Sequence, residues 1–267
     1  MIEDFFVASE EVIWTIDIVT KSPLNIKSGE KPEKGEGAPL FKYSINGEDR
    51  PVIPGSSFKG ILRTEVERIL NSSKDYWACD PFTNSCGQKM RKIKDPSNPS
   101  KRIDLSGLSN SKIKEYLKIR RSEEEVGLCV ACVIFGSTIM RANSRISDFI
   151  PEGNVQIKTK TGTAISRLNG SVKSGALFPT NYVLSGQKFS GKIAYRGDKK
   201  LLGFLAGALL ALNMKLLTIG AYSSKGFGEV EITIKREERI SGFDNVTTHD
   251  VSDTEAHLKK YIEELYK

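Results

Sequence analysis

Hydrophobic and polar positions alternate along residues 11–20. Val12, Trp14, Ile16 and Ile18 fall on one side, and Ile13, Thr15, Asp17 and Val19 on the other. Strand side chains point to alternate faces, and β-branched residues dominate here, so the pattern predicts a strand. Over residues 56–70 the period becomes helical, with an apolar stripe of Phe58, Ile61, Leu62, Val66, Ile69 and Leu70. Pro54-Gly55 blocks helix upstream, and Ser56 reads as the N-cap. Residues 143–149 read as a strand, and residues 187–195 alternate again. Residues 199–213 predict an apolar helix in which Gly203 and Gly207 permit close packing. Val230, Ile232 and Ile234 mark residues 229–234 as a final strand, and residues 254–266 read as a helix charged on one side.

The connecting segments differ in composition. Residues 21–49 are rich in Gly, Pro, Lys and Glu and read as a long loop, which at that length in a compact domain is functional or disordered. Residues 71–126 are irregular and polar, with a short helix expected over 111–121. Residues 155–184 are basic and turn-rich. Without its insertions the order is β-α-β-β-α-β, so the expected fold class is α+β, with a ferredoxin-like, RNA-recognition-type arrangement. One domain spanning residues 1–267 is expected, with insertions at 71–132 and 155–184.

Charge sharpens the picture. The 267 residues carry 40 Lys+Arg against 33 Asp+Glu, a net +7, which favours a polyanionic partner. Met1-Ile2-Glu3-Asp4 is acidic where a secretory leader is basic, and Asn213 and Lys215 break the apolar run of residues 201–217. A cytoplasmic chain with no membrane partner is expected.

Two segments combine glycines, hydroxyls and a lysine: Pro54-Gly55-Ser56-Ser57-Phe58-Lys59-Gly60-Ile61-Leu62-Arg63 and Gly220-Ala221-Tyr222-Ser223-Ser224-Lys225-Gly226-Phe227-Gly228. A helix start supplies free N–H groups, and Lys59 and Arg63 lie one turn apart beside Ser56 and Ser57, so one phosphate could meet all of them. In the later loop Lys225 and Gly226 are the candidate contacts. Lys158, Lys160, Arg167 and Lys173 are interleaved with hydroxyl residues and add cations for a nucleic acid backbone.

Cys79, Cys86, Cys129 and Cys132 form two close pairs, C-x₆-C and C-x₂-C. Tetrahedral thiolate ligation of a structural zinc would staple a polar insertion at both ends. Two disulfides, or four buried thiols, are the alternatives. The two histidines, His249 and His257, read as surface residues rather than a catalytic centre. A phosphate-binding metabolic enzyme is disfavoured, since neither G-x₄-G-K-[ST] nor a complete G-x-G-x-x-G is present.

Residues 51–63, Pro51-Val52-Ile53-Pro54-Gly55-Ser56-Ser57-Phe58-Lys59-Gly60-Ile61-Leu62-Arg63, resemble the signature of the RAMP superfamily of CRISPR-associated proteins. Ser223-Ser224-Lys225-Gly226-Phe227-Gly228 resembles its C-terminal glycine-rich loop, and Phe135-Gly136-Ser137 its Phe-Gly step. Lys158-Thr159-Lys160 through Ala164-Ile165-Ser166-Arg167-Leu168-Asn169-Gly170 is similar to a stretch of the backbone subunits of type III effector complexes. The resemblance runs over residues 10–235. It implies a CRISPR RNA-binding palm with a zinc-binding lid and a thumb hairpin at residues 155–184. It also implies CRISPR RNA and target RNA as partners, together with other effector subunits and head-to-tail stacking of copies. Members that cut target RNA carry an aspartate in the first long loop. That position falls on Gly37 here, leaving Glu36 as the candidate carboxylate, with magnesium required only if the chain cuts RNA.

Overall fold

In the computed structural model, which describes residues 10–32, 36–91, 94–95, 98–102, 119–125, 127–242 and 245–267, the first alternating segment is β1 (Glu11–Thr20). It lies at the centre of an antiparallel sheet. β10 (Lys188–Arg196) pairs on one side and β11 (Val230–Ser241) on the other. β12 (Asn245–Asp250) lies beyond β11, and β6 (Ser144–Ile146) lies beyond β10, with β7 (Ile150–Pro151) further along. The molecule is therefore a mixed α+β protein on an antiparallel sheet.

One sheet face is apolar because the pattern demands it. Val12, Trp14, Ile16 and Ile18 join Phe189, Ile193, Val230, Ile232 and Ile234 in the buried core. Phe58, Leu62, Val66 and Leu70 of α1 (Gly55–Ser72) and Leu202, Leu205, Leu209 and Leu212 of α4 (Lys199–Asn213) complete it. Each such side chain contributes about 1.5–3 kcal/mol by leaving water. The glycine spacing of α4 works as expected. A Cβ at Gly203 would lie 2.5 Å from the Tyr261 carbonyl of α5 (Thr254–Glu264), and one at Gly207 would touch Ile69 of α1 at 3.5 Å. Away from the core, Asp17 accepts from Ser190 Oγ at 2.7 Å and pairs with Lys188 at 2.8 Å.

Several expectations need correction. The helix after Pro54 begins at Gly55, and Ser56 makes no capping hydrogen bond; Asp148 Oδ1 accepts from the Gly55 N–H at 2.7 Å instead. Residues 21–49 are not all loop. β2 (Lys42–Ile45) and β3 (Glu48–Pro51) form a hairpin about Asn46-Gly47. Both turn residues have positive φ, 53° and 82°, as a type I′ turn requires. β11 runs well past residue 234 and β12 follows it, so 229–234 is not the last strand. The helix expected over 111–121 lies outside the described residues except 119–121, where Ile119 bridges to Leu128. The insertion also contains α2 (Cys86–Arg91), β4 (Lys94–Asp95) and β5 (Asn98–Arg102). Residues 155–184 hold a long hairpin of β8 (Ile157–Ile165) and β9 (Val172–Val183). Among the described residues no helix is long and apolar enough to cross a membrane.

His257 is not a free surface residue. Its Nε2 lies 2.7 Å from Glu237 Oε2, and its side chain is mostly buried. The buried Glu237 also accepts from Trp14 Nε1 at 2.8 Å, Tyr261 Oη at 2.7 Å and Arg239 Nε at 2.6 Å. Burial alone would raise its carboxyl pKa, but these four bonds outweigh burial and hold it below the usual carboxylate range. The group therefore ties β1, β11 and α5 together. Its folded pKa lies below the unfolded value of about 4.3, so its stabilisation is complete above that pH and is lost as pH falls towards the folded value. Glu237→Ala is expected to cost about 3 kcal/mol in denaturant titration at pH 7. The cost should shrink as the pH drops below about 4.

Candidate metal centre and nucleic-acid interface

The four cysteines come from three places in the chain and meet at one point. Cys79 follows α1, Cys86 opens α2, and Cys129 sits at the start of α3 (Val130–Phe135), which carries Cys132. All four are buried, and their sulfurs lie within 4.8 Å of one another. Cys79 Sγ is 3.4 Å from Cys132 Sγ and 3.6 Å from Cys129 Sγ, and no pair is disulfide-bonded. Tetrahedral zinc with Zn–S bonds of ~2.3 Å places sulfurs roughly 3.8 Å apart, so the donor set fits a four-thiolate metal. Hydrogen bonds to the sulfurs favour thiolate. The Cys129 N–H donates to Cys86 Sγ at 3.2 Å and the Cys79 N–H to Cys129 Sγ at 3.5 Å. Hydrogen bonds from Cys129 and Cys132 hold the Cys86 thiol far below its ordinary range, while those with Cys129 and Cys79 push Cys132 far above it. The sulfurs thus divide the available charge unequally, and a cation lets all four ionise.

The cysteine cluster is not a satellite. α3 is wholly buried and belongs to the same core as the sheet, so the cysteine cluster is continuous with the packing of the sheet. The helix ends at Gly136, whose φ of 87° and close approach to Ala142 N (3.0 Å from an added Cβ) require glycine.

Arg63 belongs to this cluster. Its Nε donates to Glu67 Oε1 at 2.7 Å and its Nη1 to the Gly136 carbonyl at 3.1 Å, while Nη2 lies 3.8 Å from Cys132 Sγ. Lys59, one turn earlier, is half-buried. Burial first and the charge of Arg63 second lower its pKa. Both line a cavity of about 500 Å³ with Ser85, Ser137 and Arg141, where an anion would relieve the cation repulsion. Ser57 is partly buried and Ser56 exposed at the helix start. Gly55 serves packing, since a Cβ there would overlap the Ile146 carbonyl oxygen.

A second cluster surrounds the later glycine-rich loop. Gly220 and Gly228 are packed against Asn25 and Ile219 carbonyls, and Gly226 takes φ 79° after a 3₁₀ turn at Ser223–Lys225. Most loop amides are spent internally: Ala221 N–H on the Asn25 carbonyl, Gly228 N–H on the Pro23 carbonyl, Gly226 N–H on the Ser223 carbonyl. The loop therefore presents side chains. Tyr222 has φ 68°, an unusual backbone for a bulky residue. Its ring lies beneath Lys27 Nζ (4.9 Å) and Lys225 Nζ (5.0 Å) and packs edge-on to Phe227, which also packs against Tyr182. A hydrogen bond with Thr180 and the nearby charges of Lys27 and Lys225 lower its phenol pKa.

The hairpin joins this cluster. Register pairs Lys158 with Tyr182 and Lys160 with Thr180, so both lysines share the face that meets Tyr222 and Phe227. Arg167 lies exposed at the far tip, and Lys173 lies on β9. Lys27, Tyr182 and Tyr222 were not singled out in the sequence. Only the tyrosine inside the glycine-rich motif offered a signal. Glu36 is exposed, and Gly37 packs so tightly that an added Cβ would lie 2.9 Å from the Pro179 carbonyl.

The RAMP superfamily model matches residues 17–231. The chain belongs to the RAMP superfamily. No curated protein matches it. RAMP membership implies a CRISPR-associated, RNA-binding role, and both side-chain clusters fall within the matched span. The lysine-bordered rings of this RAMP protein offer what single-stranded RNA needs, cations for phosphates and π-faces for bases.

The expected metal content is one zinc per chain by elemental analysis. Cys86→Ser or chelation should lower stability by about 3 kcal/mol or more, roughly 6–12 °C in the unfolding midpoint. Gly55→Ala should cost about 1–3 kcal/mol, because the new methyl meets backbone that cannot yield cheaply.

Proposed function

We propose that this RAMP protein is a CRISPR RNA-binding scaffold, a backbone subunit of a type III effector complex that holds the guide and does not itself cut RNA. The observation that carries this reading is the pair Lys27 and Lys225 over the Tyr222 ring, with Lys158 and Lys160 opposite Tyr182 and Thr180 on the neighbouring hairpin strand. Electrostatic attraction to phosphates supplies most of the affinity, and the tyrosines accept unstacked bases or riboses with little sequence preference. Lys59 and Arg63 of α1 form a second phosphate contact through the cavity beside the cysteines, with Ser56 and Ser57 at the helix start outside that cavity lining.

The architecture supports the same assignment. Taking β1, β6, β10 and β11 as the four core strands, their order across the sheet is fourth, first, third, second, all antiparallel. With α1 after the first and α4 after the third, this is the ferredoxin-like arrangement used by RNA-recognition domains. The β8–β9 hairpin is then the thumb. Ile165, Leu168, Leu177 and Phe178 are exposed along it, beside Arg167, which suits an arm reaching a neighbouring copy and its RNA in a head-to-tail stack. The cysteine-bearing segment is the zinc-held lid, in which Cys79, Cys86, Cys129 and Cys132 hold the metal and the metal supplies structural cross-linking.

The non-cutting assignment rests on the first long loop. At position 37 an aspartate would collide with the Pro179 carbonyl, and among the described residues no cluster of carboxylates or histidines gathers around Glu36.

Binding of guide-length single-stranded RNA across a salt series tests the reading. Wild type should bind with a steep salt slope. Lys158→Ala with Lys225→Ala should reduce the slope by about 1.4 and weaken binding at least about tenfold. Tyr222→Gly should leave stability within about 1 kcal/mol, because glycine suits the positive φ, yet cost about 1–3 kcal/mol of RNA affinity. Unaltered binding in both variants would reject the site. Magnesium-dependent cutting of complementary RNA abolished by Glu36→Ala would reject the scaffold role in favour of a nuclease.

A further inference from the structure

Arg120 is fully buried, and among the described residues no carboxylate lies within ion-pair distance of it. It lies on the chain segment returning from the insertion, where its N–H donates to the Leu128 carbonyl at 2.8 Å, one residue before Cys129. Its guanidinium stacks over the Trp77 ring, 4.2 Å from the centroid. Nε donates to the Ser122 carbonyl at 2.8 Å, and Nη2 donates to the Glu123 carbonyl. The remaining edge, Nη1, faces Cys86 Sγ at 3.8 Å.

These contacts give each guanidinium nitrogen one partner, and among the described residues no carboxylate offsets the positive charge. Arginine keeps that charge at any accessible pH, and an uncompensated buried charge is not tolerated. Neutral thiols cannot balance it. A divalent metal bound by four thiolates carries a net charge of −2 and can. We propose that Arg120 is an outer-shell residue of the metal centre, the counter-charge and hydrogen-bond donor that tunes the Cys86 thiolate. Arg63, shared between Glu67 and Cys132 Sγ, does the same more weakly at a second sulfur. Resident groups around a site tune metal affinity and ligand electronics as strongly as ligand choice does. The inference rests on the reading of the four cysteines as a metal site and adds to it a dependence on Arg120.

The test uses the full chain loaded with zinc or with cobalt(II). Zinc transfer to a colorimetric chelator and the thiolate-to-cobalt charge-transfer band are measured for wild type, Arg120→Met, Arg120→Lys and Arg68→Met. Arg68→Met is the control, because Arg68 is exposed on α1 and pairs with Glu65. Arg120→Met is expected to release zinc about 10–100-fold faster. Its cobalt band should move to longer wavelength, because a thiolate without its neighbouring cation is a stronger donor. Arg120→Lys keeps the charge but loses the planar stack, so a smaller shift in the same direction is expected. It also provides the reading if Arg120→Met does not fold. The control should match wild type. Zinc release and band position unchanged in folded Arg120 variants would overturn the role of Arg120 while leaving the metal site intact. A wild-type chain that takes up neither metal would overturn both.

Discussion

The convergence of four buried sulfurs is the constraint on which the cysteine-bearing half of the molecule depends. It joins the segment after α1 and the first turn of α2 to the start of α3, which lies far from both in sequence. Because α3 is buried in the same core as the sheet, fixing the sulfurs also fixes the face of α1 that carries Lys59 and Arg63. The Gly136 carbonyl and Cys132 Sγ both meet the Arg63 guanidinium. The cluster therefore does more than close a loop: it gives the Arg63 side chain fixed partners.

The cluster around the later glycine-rich loop follows a different logic. No glycine in the 220–228 loop is needed to admit a phosphate, since two of them admit neighbouring carbonyls and one completes a turn. Instead the loop spends its amides internally and holds Tyr222 in a backbone conformation that costs about 1–3 kcal/mol. The surrounding bonds to residues 23–25 pin the loop in place, and the cross-strand register of the hairpin delivers Lys158 and Lys160 to the same spot. Rigid placement of cations about aromatic rings lowers the ordering cost of binding a flexible polyanion.

Strong periodicity was legible, and irregular geometry was not. Residues 11–20 and 199–213 form the strand and helix that their patterns predict, with the same boundaries, because both bury one or more faces in the core. The β2–β3 hairpin carried its signal in Asn46-Gly47 but was submerged in a polar, glycine-rich stretch. Ser56 had the composition of an N-cap, yet a carboxylate 93 residues away, Asp148, took the role. His257 looked like a surface residue because its partner Glu237 sits on another element. The cysteine cluster was visible as residue types, whereas the arginines beside it were not, since Arg63 and Arg120 reach the sulfurs only in three dimensions. Lys27 and Tyr182 were hidden for the same reason.

Ultraviolet crosslinking of the assembled, RNA-bound protein, read by mass spectrometry, tests the central claim most directly. Crosslinked peptides should contain Tyr222 or Tyr182, with further adducts along the β8–β9 hairpin and at the start of α1. Adducts confined to β12 and α5, on the far side of the sheet order from the hairpin-bearing strands, would contradict the assignment of the lysine-bordered tyrosines as the RNA-binding surface.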